Sequence, residues 1–163
     1  MLVGKRRSQR GFTLIELLIT MAVAIILATI AVPSFLGMMA NNRLASDYNE
    51  ILSGVNFARS EAIKRREDVA FTVEEGAPWE YKVTLESDED IRIRSSRDAR
   101  MTVTSSGDVT FNSLGRVASG SNCEGGCLID INHDVAGCRA VSISRFGRVG
   151  RADCAESAEV STP

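Results

Sequence analysis

The chain has 163 residues, 44% of them hydrophobic and 25% charged, with a formal net charge of −2. That length supports one domain with a modest core, and the composition excludes collagen, low-complexity disorder and a polytopic membrane protein. A near-neutral total gives no bulk attraction to nucleic acid. The charge is unevenly placed: residues 1–11 hold Lys5, Arg6, Arg7 and Arg10 and no acid, so setting those four cations aside takes −2 to −6.

The basic stretch runs straight into an apolar one. Positive charge beside a hydrophobic span stays cytoplasmic, which predicts that the body lies across the membrane. Residues 12–36 number 25 and include 14 of Leu, Ile, Phe or Val, against about 20 residues needed to cross a bilayer as a helix. At ~0.3–0.6 kcal/mol each, those 14 favour insertion by roughly 4–8 kcal/mol. Glu16 opposes this by at most about 3 kcal/mol, and by less near the end of the span. A secretory signal cleaved after Ala22-Val23-Ala24 is the competing reading. Glu16 inside the apolar run, and the continuation of that run well past Ala24, argue against it.

The stretch Gly11-Phe12-Thr13-Leu14-Ile15-Glu16-Leu17-Leu18-Ile19 resembles the class III signal of type IV pilins and type II secretion pseudopilins. The resemblance implies that a prepilin peptidase cuts between Gly11 and Phe12, that the new Phe12 amine is N-methylated, and that the apolar segment is retained. Elementary electrostatics gives Glu16 a matching role. A carboxylate in hydrocarbon is costly unless paired, and cleavage creates an α-amino group four residues upstream. In a fibre, the Phe12 amine of one subunit can neutralise Glu16 of its neighbour, acting on register and assembly more than on net stability. Pro33 either kinks a continuing helix or ends it. Pilins commonly carry a proline at this point, so the likeness extends past the signal.

Beyond Asn42 the helical period persists in Leu44, Tyr48, Ile51, Leu52, Val55, Phe57, Ala58, Ala62 and Ile63, while Arg43, Asp47, Glu50, Arg59, Glu61 and Lys64 occupy the other face. Lys64-Arg65-Arg66 suit the negative pole of a helix. After Glu67 short β-type runs begin: 69–73, 81–85, 91–94, 101–104, 109–111, 128–132, 140–144 and 148–149. Turn signals such as Glu75-Gly76-Ala77-Pro78 and Ser105-Ser106-Gly107-Asp108 separate them. The expected fold class is α+β, with antiparallel sheets cradling a long N-terminal helix. The expected organisation is a cleaved leader at 1–11, a transmembrane and assembly helix at 12–36, an amphipathic half at 37–66 and a β-rich head at 67–163.

The four cysteines, Cys123, Cys127, Cys138 and Cys154, lie behind a membrane segment, which points to an oxidising compartment and two disulfides rather than buried cytosolic thiols. Only Cys123-x-x-x-Cys127 approaches zinc-ligand spacing. Four cysteines allow three pairings. Residues 140–144 and 148–152 flank Arg145-Phe146-Gly147 as a hairpin, and Cys138 and Cys154 are equidistant from Phe146. Cys138–Cys154 is therefore the favoured cross-strand pair, leaving Cys123–Cys127 around Glu124-Gly125-Gly126.

Four segments of the body resemble the GspH/FimT family of minor pilins and pseudopilins. They are Asn41-Asn42-Arg43-Leu44, the run from Phe57 to Arg65, the run from Phe111 to Arg116, and Phe146-Gly147-Arg148-Val149. The resemblance implies a pilin-like fold and a minor subunit that primes or caps a type IV pilus or a secretion pseudopilus. The implied partners are prepilin peptidase, other pilins or pseudopilins and inner-membrane lipid. The implied place is the inner membrane, crossed once with the head in the periplasm, and then the fibre.

Chemistry in the body is sparse. His133 is the only histidine. Asp130, Asn132 and Asp134 alternate along a strand as calcium ligands can, and equally as a solvated outer face does. Ser87-Asp88-Glu89-Asp90 reads as an acidic loop. No nucleophile elbow or phosphate-binding glycine loop is present, and the expectation is an uncatalytic protein without metal or cofactor. The family resemblance raises one alternative, DNA binding in natural transformation through a glycine–arginine–x–arginine motif in the final hairpin. Here the motif is one residue longer, Gly147-Arg148-Val149-Gly150-Arg151. Arg148 and Arg151 diverge on a regular strand unless Gly150 forms a bulge. Arg145, Arg139 and Arg116 can add to a patch that Asp153, Glu156 and Glu159 weaken.

Overall fold

The structure, a computed structural model, describes residues 12–154. Leader residues 1–11, with Gly11, and the tail from Ala155 lie outside the described residues. One α-helix, α1 (Leu14–Arg65), is followed by eight strands: β1 (Val69–Glu74), β2 (Glu80–Leu85), β3 (Asp90–Ser95), β4 (Met101–Ser105), β5 (Val109–Phe111), β6 (Cys127–His133), β7 (Gly137–Ile143) and β8 (Val149–Ala152). Every candidate strand is present, most with one residue added at an end. The largest differences are in β7, which starts three residues earlier than expected and ends one earlier, and in β8, which runs three residues further but starts one late and so leaves Arg148 in the preceding turn. The chain divides into two compact units, 1–38 and 39–163.

In the first unit, Thr13 caps α1. Its hydroxyl accepts the Glu16 backbone N–H at 3.3 Å, and its carbonyl accepts the Leu17 N–H at 3.2 Å. Thr13 and Glu16 have the spacing of a capping box. Every residue from Phe12 to Leu36 is exposed. The Thr20 and Thr29 hydroxyls donate back to the carbonyls of Leu17 and Ile26 at 2.9 and 2.7 Å, which satisfies them inside the helix, as an apolar medium demands. Pro33 lies within α1 and does not end it. Lacking an N–H, it leaves the Thr29 carbonyl without its intrahelical donor.

The second unit is built on the rest of α1. Ala40, Leu44, Tyr48, Ile51, Val55, Ala58 and Ala62 are buried, the three-to-four spacing of a helix that packs one stripe on a core. Two antiparallel four-stranded sheets complete the unit, in the orders β3-β2-β1-β5 and β4-β6-β7-β8. Alternation is clean in β2, where Tyr81, Val83 and Leu85 are buried, and in β6, where Cys127, Ile129, Ile131 and His133 are. Gly54 lets helix and sheet meet closely, because a Cβ there would fall 2.7 Å from the Tyr81 ring. The acidic run 87–90 forms the tight β2–β3 turn, with Asp88 in the left-handed region (φ 62°) and its N–H donating to the Leu85 carbonyl. Arg66, at φ 61°, stops α1 by donating its N–H to the Ala62 carbonyl.

The polar face of the helix is not simply solvated, as its residue types suggest. Asp47 accepts from Trp79 Nε1 at 3.0 Å and from the Ser96 hydroxyl at 2.7 Å. Glu50 accepts the Tyr81 hydroxyl at 2.7 Å and Arg92 at 3.3 Å. Burial and the Glu50 carboxylate together push the Tyr81 phenol well above its usual range. Glu61 is buried and held below the ordinary carboxylate range by Arg65 and Lys64. Asp47 and Glu50 thus tie Trp79 and Tyr81 to the helix, a role that helical periodicity does not reveal, whereas Glu61 bonds Lys64 and Arg65 of α1 itself.

Candidate functional site

The N-terminal end of the helix carries the residues of the processing and assembly motif. Phe12 is 83% exposed, and Glu16 lies in the first turn, where the positive end of the helix dipole favours a carboxylate. Among the described residues no cation pairs with Glu16. Around it Leu14, Ile15, Leu17, Leu18 and Ile19 are all more than half exposed. An uncovered apolar run of this length needs lipid or other helices against it.

Both expected disulfides form. Cys138–Cys154 has a Cα separation of 6.3 Å, and Cys123–Cys127 one of 5.2 Å. The first follows from hairpin register: Ala140 pairs with Ala152 and Ile143 with Val149, so two further steps bring 138 opposite 154. No free cysteine remains among the described residues. A carboxylate oxygen of Asp130 lies within 4.8 Å of the sulfurs of Cys138 and Cys154, but sulfurs joined in a disulfide offer no thiolate to a metal.

The 130–134 segment follows the solvated-face pattern only in part. Asp130 and Asn132 are half-buried between the buried Ile129, Ile131 and His133, whereas Asp134 lies past the end of β6. The three oxygen ligands of a calcium reading therefore do not share one strand face. His133 is structural. Its Nδ1 accepts the N–H groups of Val135 and Ala136 at 3.1 and 3.3 Å, which shapes the β6–β7 turn. Its Nε2 lies 3.9 Å from Asp98 Oδ2. Asp98 also bonds Arg43 and Arg100, and those guanidiniums hold its carboxyl far below the usual range. This network was not foreseen, because its members are spread over α1, the β3–β4 loop and β6.

The final hairpin is regular. Gly150 pairs with Ser142 and forms no bulge. Arg148 lies in the turn, where its N–H donates to the Ser144 hydroxyl at 3.1 Å. Arg148 and Arg151, both exposed, nonetheless border one shallow depression of about 540 Å³ with Ser142 and Gly125. Turn placement, not a bulge, brings them to the same surface. Arg145 stacks over the Phe146 ring at 5.0 Å from its centre.

Segments distant in sequence converge beside this hairpin. Arg59 Nε on α1 donates to the Gly115 carbonyl at 3.0 Å. Gly115 in turn packs against Ile63, and a Cβ on Gly147 (φ 76°) would overlap the Gly115 carbonyl oxygen. The Val117 N–H donates to the Arg145 carbonyl at 3.3 Å. Three of the segments singled out in the sequence, 57–65, 111–116 and 146–149, thus form one packed junction.

Comparison with known proteins agrees with this architecture. Residues 6–32 match the family model of the prokaryotic N-terminal methylation motif. Residues 47–147, more than half of the chain, match that of the type II transport protein GspH. No curated protein matches the chain significantly. Among solved structures it is similar to the type IV minor pilin FimU of Pseudomonas aeruginosa strain PAO1 in two crystal forms. One form gives 22% identity and a TM-score of 0.57, covering 69% of this chain and 90% of that one. The other gives 19% and 0.52, covering 67% and 92%. These likenesses show a common fold, and nothing in the comparisons bears on DNA. With a methylation motif opening its helix and the GspH model spanning its head, the chain belongs to the GspH/FimT family of minor pilins and pseudopilins.

Proposed function

We propose that the protein is a non-catalytic minor subunit of a type IV pilus or type II secretion pseudopilus, acting in the complex that primes or caps the fibre. Prepilin peptidase cuts between Gly11 and Phe12 on the cytoplasmic side, and the Phe12 amine is methylated. The segment 12–36 then holds the chain in the inner membrane, crossed once with the head in the periplasm. On assembly this segment exchanges lipid for the apolar helices of other subunits.

The observation that carries the reading is the division of labour along α1. Residues 12–36 are apolar, exposed and bear one acid, Glu16, without an ion-pair partner among the described residues, while the second half of the helix is the spine of a closed core. A soluble enzyme gains nothing from such a run, whereas a subunit that stacks helices needs it. Glu16 then finds its cation in the Phe12 amine of a neighbour. In the head, Asp47, Glu50, Glu61 and Asp98 are each engaged by donors that tie the fold together.

The test is the intact mass of the mature chain recovered from membranes. A chain that begins with N-methylated Phe12 supports the reading. One that keeps Met1, or begins after Ala24, overturns it. A salt-dependent shift of duplex DNA by the protein, abolished by Arg148→Ala with Arg151→Ala, would favour the alternative reading, a DNA-binding minor pilin on the same scaffold.

A further inference from the structure

The junction beside the final hairpin presents a surface that the assembly motif does not use. Leu114 and Phe146 are 71% and 62% exposed and border one open depression of about 640 Å³. Ile63, itself exposed, packs against Gly115, the residue after Leu114. The two turns that carry Leu114 and Phe146 are tied by the Arg59–Gly115 bond, by the Val117–Arg145 bond and by the seating of Gly147 on Gly115. Apolar side chains held out on a locked platform lose little freedom when they dock.

The charge around them is one-sided. Arg116, Arg145 and Arg148 are exposed, and none of the three takes part in an ion pair among the described residues. Glu124 is the single acid bordering the depression. Residues 39–163 as a whole carry −5, since Glu16 accounts for one of the −6 outside the leader. A cationic, apolar-centred patch therefore sits on an anionic body. Interface centres favour aromatic residues and arginine and avoid lysine, which is the composition found here. Single-stranded nucleic acid is met by successive aromatic stacking platforms, whereas this surface has one ring, Phe146, with Arg145 over it, beside the aliphatic Leu114.

We propose that this platform is a protein-docking surface for a neighbouring fibre subunit that presents an apolar centre ringed by carboxylates. Leu114 and Phe146 are its anchors, and Arg116, Arg145 and Arg148 select the acidic partner. That the partner is a fibre subunit rests on the assembly role proposed above.

The experiment uses the full chain in its native host, with a photocrosslinking p-benzoylphenylalanine placed at Leu114, at Phe146 or, as an assembly control, at Ile25 in the apolar helix. Adducts are identified by mass spectrometry. The expected result is that all three positions capture proteins bearing an N-terminal methylation motif. Arg116→Glu with Arg145→Glu should then cut the yield at 114 and 146 by about tenfold or more, since opposed like charges are strongly unfavourable, and leave Ile25 adducts in place. Trp79 fluorescence verifies that the charge-reversed chain is folded. The inference is overturned if Ile25 captures such proteins while 114 and 146 capture nothing, only nucleic acid, or scattered unrelated proteins. It is also overturned if charge reversal leaves the yield unchanged. If Ile25 captures none either, the assembly role itself fails.

Discussion

Gly147 is the position where the junction is most sharply testable. It combines a left-handed backbone (φ 76°) with the absence of room for a Cβ against the Gly115 carbonyl. Two other glycines separate these effects. Gly120 has a left-handed φ of 86° but open space, and Gly125 has open space without a left-handed φ. An L-residue forced into the left-handed region costs about 1–2 kcal/mol, and overpacking a filled site costs about 1–3 kcal/mol more. Gly147→Ala is therefore expected to lose roughly 2–5 kcal/mol and Gly120→Ala roughly 1–2 kcal/mol. Gly125→Ala is expected to be neutral or to gain up to about 1 kcal/mol by restricting the unfolded chain. Trp79 is the only tryptophan and is 1% exposed, so its fluorescence during urea unfolding of the detergent-solubilised chain reports the head directly. If Gly147→Ala unfolds no earlier than Gly120→Ala, the Gly147–Gly115 contact does not hold the two turns together, and the platform argued from it loses its rigidity.

Further outcomes follow from the same geometry. Glu16→Ala is expected to leave cleavage and methylation intact, read by mass, while abolishing recovery of the protein in sheared fibres; normal recovery would remove the proposed pairing with a neighbour's Phe12 amine. Asp98 titrates below the usual range because Arg100 and Arg43 bind its charged form. Its contribution is therefore complete above the unfolded carboxylate pKa, about 4, and disappears as pH falls through the lower folded value. Asp98→Asn should accordingly unfold at lower urea than wild type at pH 7, by up to about 1 kcal/mol for ion pairs in contact with solvent, and the gap should close toward pH 2; a constant gap would contradict the ion-pair origin. Breaking Cys138–Cys154 by double serine substitution should cost about 3 kcal/mol and breaking Cys123–Cys127 about 2 kcal/mol, since the longer loop releases more chain entropy. Equal or reversed losses in urea midpoints would argue that strain or packing, not loop length, sets the difference.

Much of this protein is legible in one dimension, because the forces that shape those parts act over short stretches of chain. The retained apolar run with Glu16 follows from the energetics of a helix in hydrocarbon. The strands follow from period-two alternation bounded by turn residues, and the Cys138–Cys154 pair follows from hairpin symmetry about Phe146. The two-sheet division, with β5 joined to β1 and β4 to β6, was not legible, because pairing between distant strands depends on how the helix and sheets pack together. The same holds for Asp47 and Glu50. Their spacing reads as a solvated helix face, and only the approach of Trp79 and Tyr81 turns them into buried-edge acceptors. Arg148 and Arg151 were expected to diverge on a regular strand; the strand is regular, but starting it at Val149 left Arg148 in the turn and brought both to one surface. The junction of Arg59, Gly115 and Gly147 was present only as separate motifs. Local chain physics could mark each of them, but a carbonyl, a guanidinium and a bare Cα meet only when the whole head closes its core.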